Sequence, residues 1–231
     1  PHYYRGKQGQ ESETEFVDRI VDNLESMIIG EGPDTIAAFI AEPITGASGV
    51  IVPPQGYYQK VQAVLNKYDI MFWADEVITG FGRTGNDFGC TTMGIDSPDM
   101  MTFAKQLSSA YMPISASAIR RDVYDAMIDQ TASAGAFGHG YTYSGHPVAC
   151  AVALKTQQIF QRDQIFDKAA VTGEYLQKRL TEFADHPLVG EVRGCGLLGA
   201  IELVANKQTG EPFVGGAVGG YAQKMAQDNG L

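Results

Sequence analysis

Apolar positions along this chain switch between helical spacing and short continuous runs, and that switching predicts an α/β fold. Ser12 followed by Glu15 carries the signature of a capping box. Behind it Phe16, Ile20, Leu24, Met27 and Ile28 recur on one helical face, predicting an amphipathic helix that ends near Gly30. Residues 36–42, IAAFIAE, are too apolar on both faces for an exposed antiparallel edge and predict a buried strand with parallel neighbours. The stretch PPQGYYQKVQAVLNKYD predicts a helix with Pro54 near its start and Tyr58, Val61, Val64 and Leu65 on one side. It leads into a second strand, IMFWADEV, at 70–77. A strand, helix, strand unit of this kind implies a right-handed crossover in a sheet covered on both faces.

The loop TGFGRTGNDFG follows, and then MMTFAK and PISASAI predict two more short strands, the second entering a helix at Arg120. Residues 147–185 have a helical pattern, alanine-rich at first and more charged later, and VRGCGLLGAIELV reads as a strand pair or one long bent strand. A last helix covers about 217–228. The expected architecture is α/β, a three-layer, mainly parallel sheet flanked by helices over residues 1–158. A linking helix and the start of a smaller α+β domain are expected over 159–231.

A hydrophobic content of 44% in 231 residues can fill a sizeable core. The formal charge of -10 comes without a basic patch, which argues against nucleic acid or an anionic membrane surface as a partner. No apolar run reaches the roughly 18–20 residues of a membrane-spanning helix, and the opening PHYYRGKQGQ has no apolar signal core, so a cytoplasmic location is expected. Cys90, Cys150 and Cys195 are odd in number and far apart, and His139 and His146 lack helical spacing; no disulfide framework or metal site is expected. The chain opens on Pro1 where an initiator Met would stand, as a fragment would.

Active sites of open parallel sheets lie beyond the carboxyl ends of the strands. Glu42 closes the first apolar run, Asp75 lies near the end of the second, and Lys105 closes the third. A carboxylate and an amine on one rim can converge on a common ligand. On pattern alone an ordinary Asp75–Lys105 ion pair, or a lysine marking a strand's exit to solvent, serves equally well. Glu76 beside Asp75 demands a partner of its own, and Arg83 is a candidate. The loop GFGRTG departs from both phosphate-loop fingerprints. HGYTYSGHP offers hydroxyls and amides ahead of a helix N-terminus, suited to an anion or simply to capping.

Five segments, FIAEPITGASGVIVPPQGYY, ADEVITGFGRTG, PDMMTFAKQLSSAYMPISA, HGYTYSGHPVACA and VRGCGLLGAIEL, together resemble class III aminotransferases of the pyridoxal phosphate fold type I group. The resemblance covers essentially the whole chain. It implies pyridoxal 5'-phosphate as cofactor, with Lys105 as the Schiff-base lysine and later the proton-moving base. By the same resemblance, Asp75 pairs with the pyridine nitrogen and Val77 packs on one ring face. Thr142, with the Tyr141 backbone, resembles a segment donated to the cofactor phosphate of a neighbouring subunit, which implies a homodimer with shared active sites. Glu42 resembles a carboxylate on the substrate side.

The resemblance implies transfer of an amino group from an amine or omega-amino acid to an oxo acid such as pyruvate. Ile78 stands where relatives acting on ornithine, acetylornithine or 4-aminobutyrate commonly carry Gln, pointing to the amine, omega-amino acid:pyruvate or diaminopelargonate branches. The family's N-terminal phosphate loop and its C-terminal carboxylate-binding arginine lie outside these residues, so the chain resembles the family's middle half. An isomerase or decarboxylase on the same fold, and a truncated non-catalytic homologue, are the other readings.

Overall fold

Helix α1 (Tyr3–Gly6) is a single turn leading to α2 (Glu13–Glu31), whose N-terminus is closed from both sides. The Glu15 amide donates to Ser12 Oγ at 3.3 Å and the Ser12 amide donates to the Glu15 carboxylate at 2.9 Å. Such a cap is worth about 1 kcal/mol. The computed structural model describes residues 1–230.

Phe16, Val17, Val21 and Ile28 are the buried residues of α2, and Ile20 and Leu24 pack partly buried beside them. Met27, expected on this face, is 57% exposed. Phe16 and Ile20 share Met27's angular position to within about 20°, so the strip that meets the core shifts along α2: it includes Phe16 at the start and excludes Met27 at the end, where Ile28 is buried.

Four short strands form the first sheet in the order β1 (Ala38–Ala41), β2 (Met71–Asp75), β3 (Met100–Phe103) and β4 (Ala116–Ile119). The first three run parallel, with Ala38 opposite Met71 and Asp75 opposite Thr102, and β4 returns antiparallel with Ala118 opposite Met101. Helix α3 (Tyr57–Lys67) makes the crossover from β1 to β2 and buries Tyr58, Val61, Val64 and Leu65, the four residues its spacing predicted. One face of the sheet is thereby sealed: Phe72 and Ala74 are buried in the same core as α2 and α3, and Phe39 packs on Phe72 with ring centroids 5.6 Å apart. Burying a side chain such as Val61, Leu65 or Phe72 contributes about 1.5–3 kcal/mol. On β1 the neighbouring side chain, Ile40, is 58% exposed. Strand β1 is therefore parallel as expected but lies at the edge of this sheet, with its second face open in these residues.

After β2 the chain passes through the Gly-rich loop and the short helix α4 (Gly89–Met93) before β3. Beyond β4, α5 (Arg121–Ala134) buries no residue. The long helical stretch then divides into α6 (Pro147–Arg162) and α7 (Ile165–Thr181), broken at Gln164, whose φ is +51°.

A second sheet is antiparallel, β5 (Val189–Cys195), β6 (Leu198–Asn206) and β7 (Glu211–Pro212), followed by α8 (Ala217–Asp228). VRGCGLLGAIELV is thus a hairpin whose turn is Gly196–Leu197. Gly196 has φ +57°, and a Cβ there would stand 2.6 Å from the Thr84 backbone, so both the turn and the close approach require glycine. Leu197 N–H donates to the Arg83 carbonyl at 2.9 Å, and Gly85 lies against Ala170 of α7. The Gly-rich loop is therefore the joint between the two sheets.

Candidate active site

Asp75 is the last residue of β2, half-buried, and its Oδ1 accepts the Val77 amide at 3.0 Å. That bond orients the carboxylate, while Oδ2 takes no hydrogen bond from the described residues. On the neighbouring strand Thr102 stands in register with Asp75, and its hydroxyl accepts the Trp73 indole N–H at 2.6 Å. Lys105 follows at the carboxyl end of β3, exposed, and opens a 3-10 turn over Lys105–Leu107. Its φ is +39°. For a residue with a Cβ that conformation costs about 1–2 kcal/mol and persists only where surrounding contacts enforce it.

Among the described residues no ion pair joins Asp75 to Lys105, which removes the plain salt-bridge reading of these two side chains. The parallel register brings their strand ends to one rim, as the apolar runs implied.

Glu76 corrects the expectation that Arg83 is its partner. It is fully buried, and its carboxylate accepts Thr79 Oγ1–H at 2.5 Å, the Gly89 amide at 2.9 Å and the Cys90 amide at 2.7 Å. Neutral donors from the start of α4 satisfy the charge, so no cation is needed. Burial, and then the Glu76 charge, push the Cys90 thiol well above its ordinary range. Arg83 Nε is buried with no hydrogen-bond partner among the described residues.

Glu42 follows β1 and turns its Oε2 onto the amide of Gly46 at 3.0 Å, while its carbonyl accepts the Tyr58 hydroxyl at 2.5 Å. Burial, ahead of neighbouring charges, pushes the Tyr58 phenol far above its usual range, so it remains a donor. Val77 and Ile78 are half-buried, and Ile78 lies so close to Gly46 that a Cβ there would meet its Cδ1 at 2.4 Å. Tyr141 and Thr142 are exposed in a turn closed by the Ser144 amide on the Tyr141 carbonyl at 2.9 Å, just ahead of α6. No hydrogen bond or ion pair among the described residues links this turn to Asp75, Glu42 or Lys105.

Sequence reasoning missed Gln157 on α6, whose Nε2 donates to the carbonyls of Leu107 at 3.0 Å and Gln106 at 3.4 Å. The available signal was polarity: Thr156 and Gln157 interrupt a helix otherwise packed through alanines, and Thr156 is buried. Elsewhere His2, Glu191 and Glu202 cluster closely enough to suggest metal ligands. Arg193 bonds both carboxylates, at 2.8 and 2.7 Å, and Arg5 bonds Glu202 at 2.8 Å, so the negative charge there is already matched by two guanidinium groups.

The Aminotransferase class-III family profile matches residues 1–230. The chain is 51% identical over 213 residues to Gamma aminobutyrate transaminase 3, chloroplastic, of Solanum lycopersicum, covering 92% of this chain and 41% of that protein. Vanillin aminotransferase of Capsicum frutescens is 48% identical over 213 residues, covering 92% of this chain and 46% of its own length. The crystal structure of the omega transaminase from Pseudomonas jessenii in complex with PMP superposes with a TM-score of 0.97 at 51% identity, over 100% of this chain and 51% of that one. The chain spans about half the length of these relatives. Other similar relatives are also named for gamma-aminobutyrate, among them Gamma-aminobutyrate transaminase 1, mitochondrial, of Oryza sativa subsp. indica, the substrate class that Ile78 was expected to point away from. The chain belongs to the class-III aminotransferase family, with the fold type I arrangement of its solved members.

Proposed function

We propose that the protein carrying this chain is a pyridoxal 5'-phosphate-dependent transaminase that moves an amino group from an amine or omega-amino acid to an oxo acid such as pyruvate. The carrying observation is the placement of Asp75 and Lys105 at the ends of adjacent parallel strands, with no ion pair between them. The donor set fits the cofactor. Asp75, with Oδ1 fixed by Val77 and Oδ2 free of hydrogen bonds among the described residues, suits a protonated ring nitrogen; the exposed Lys105 amine suits an aldehyde. Relatives named as gamma-aminobutyrate transaminases support an omega-amino acid as donor.

When bound, pyridoxal phosphate supplies an electron sink for the carbon that loses its proton. Asp75 would pair with the ring nitrogen, and Val77, adjoining Asp75, would lie against the ring. Lys105 would hold the cofactor through its amine and would serve as the group that moves a proton at the reacting carbon. Glu42 stands on the substrate side, its orientation held by Gly46. Tyr141 and Thr142 would hold the cofactor phosphate of a second subunit, a role supported by the 77% exposure of Tyr141 and by the exposure of Tyr143 two residues on.

The test is made on the full-length protein. Borohydride reduction after loading with pyridoxal phosphate should place the label on Lys105 by peptide mapping, and Lys105→Ala should lose the visible absorbance and turnover together. Turnover retained by Lys105→Ala overturns the reading.

A further inference from the structure

Residues 104–112 form a strained loop: Lys105, Ser109 and Ala110 all have positive φ, at +39°, +50° and +61°. Most of its hydrogen bonds are internal. The Leu107 amide donates to Ala104 O at 2.8 Å, the Ser108 amide to Lys105 O at 3.3 Å, and Ser108 Oγ to Met112 O at 2.7 Å. Among the described residues, the hydrogen bonds tying this loop to another element all come from α6. Thr156 contributes weakly, since its hydroxyl has a single proton and its oxygen lies 2.9 Å from the Val152 carbonyl of its own helix and 3.4 Å from Ser108 O. Gln157 is the firmer tie, with an amide whose two protons reach the carbonyls of both residues that follow Lys105.

Three left-handed residues in so short a segment relax unless outside contacts prevent it. We infer that Gln157 is a positioning residue for Lys105, its side-chain amide holding the Gln106 and Leu107 carbonyls so that the lysine keeps its strained backbone and its amine stays at the rim beside Asp75. The inference rests on the reading of Lys105 as the cofactor-holding amine. Gln157 touches neither cofactor nor substrate. It also lines a cleft of about 450 Å³ with Phe81, Phe88, Phe160 and Phe166, so a leucine there is compatible with folding.

The experiment compares the full-length parent with Gln157→Leu and Gln157→Glu, both of similar length and without the amide donor. Cofactor-free protein is mixed with pyridoxal phosphate, and the rate of bond formation at Lys105 is followed by absorbance, with borohydride trapping and mapping to confirm the residue. The pH midpoint of the bound chromophore and the melting temperature are recorded alongside. Loss of the tie should slow capture about tenfold or more, since a displacement of about 1 Å can cost up to about a hundredfold. It should also shift the chromophore midpoint, with the melting temperature unchanged. Capture rate and midpoint equal to the parent overturn the inference, and so does slowing matched in both variants by a large fall in melting temperature, which assigns Gln157 to folding alone. A parent that traps no cofactor at Lys105 overturns the function reading itself, a failure recognisable before any variant is made.

Discussion

The Glu76 carboxylate, fully buried, accepts the backbone N–H of Cys90 at 2.7 Å and so fastens the start of α4 to the end of β2, next to Asp75. Thr79 and Gly89 complete its partners. Replacing Glu76 with Gln turns one acceptor oxygen into an NH2 facing donors, which leaves buried amides unsatisfied. The expected loss is about 2–4 kcal/mol, read as a lower urea midpoint with an unchanged slope. A midpoint equal to the parent would mean that the three bonds contribute nothing.

Asp75→Asn should behave differently. Its side-chain hydrogen bond from the Val77 amide to Oδ1, the one found among the described residues, survives in the amide side chain, so stability stays near the parent. Transamination by the full-length protein should fall about 10²–10³-fold, the scale of losing one preorganised electrostatic partner. Steady-state rates beside melting curves separate the two effects, and an unaffected rate makes Asp75 purely structural.

Gly196→Ala tests the joint between the sheets. A Cβ at φ +57°, 2.6 Å from the Thr84 backbone, forces the hairpin away from the Gly-rich loop. The cost should be about 2–3 kcal/mol. Amide exchange should rise at Leu197, whose N–H is held by Arg83 O at 2.9 Å.

Acid should weaken the contact between the N-terminal turn and the second sheet. Burial raises the Glu202 carboxyl, but hydrogen bonds from Arg5 and Arg193 outweigh it and hold it below the ordinary 4.5. A depressed folded-state value means the stabilisation is present above pH 4.5 and is lost as pH falls from there through the folded value. Melting temperatures measured across that window should fall less steeply for Glu202→Gln than for the parent. Identical slopes would remove Glu202 from the acid response.

Cys90 should resist thiol reagents in the native protein. Burial first, then the negative charge of Glu76, push its thiol upward, so little thiolate forms at neutral pH. Labelling followed by peptide mapping should find Cys90 modified only after urea is added; rapid native labelling would show that the α4 segment opens readily.

Much of this protein is a local property of its sequence. The capping box at Ser12, the buried row Tyr58, Val61, Val64 and Leu65, and the polar ends of the apolar runs at Asp75 and Lys105 each depend on residues within a turn or a strand, and each is found where the pattern put it. Periodicity and capping act over a few residues, so they survive translation into three dimensions.

Tertiary structure decided what lay beyond that reach. Met27 was left outside although Phe16, at nearly the same helical angle, is buried, because the strip of α2 that meets its neighbours shifts along the helix. The partner of Glu76 was decided the same way, since amides have no signature in the sequence and those of Gly89 and Cys90 arrive only when α4 folds back. The tie from Gln157 to Leu107 spans 50 residues, and no pattern along one helix announces a carbonyl carried by a distant loop. The sequence by itself determined the main strands and helices and the two residues at the rim, but not α4 or the break between α6 and α7. Packing determined which contacts hold them there, because the donors and acceptors that enforce a strained backbone are matched only once distant segments lie side by side.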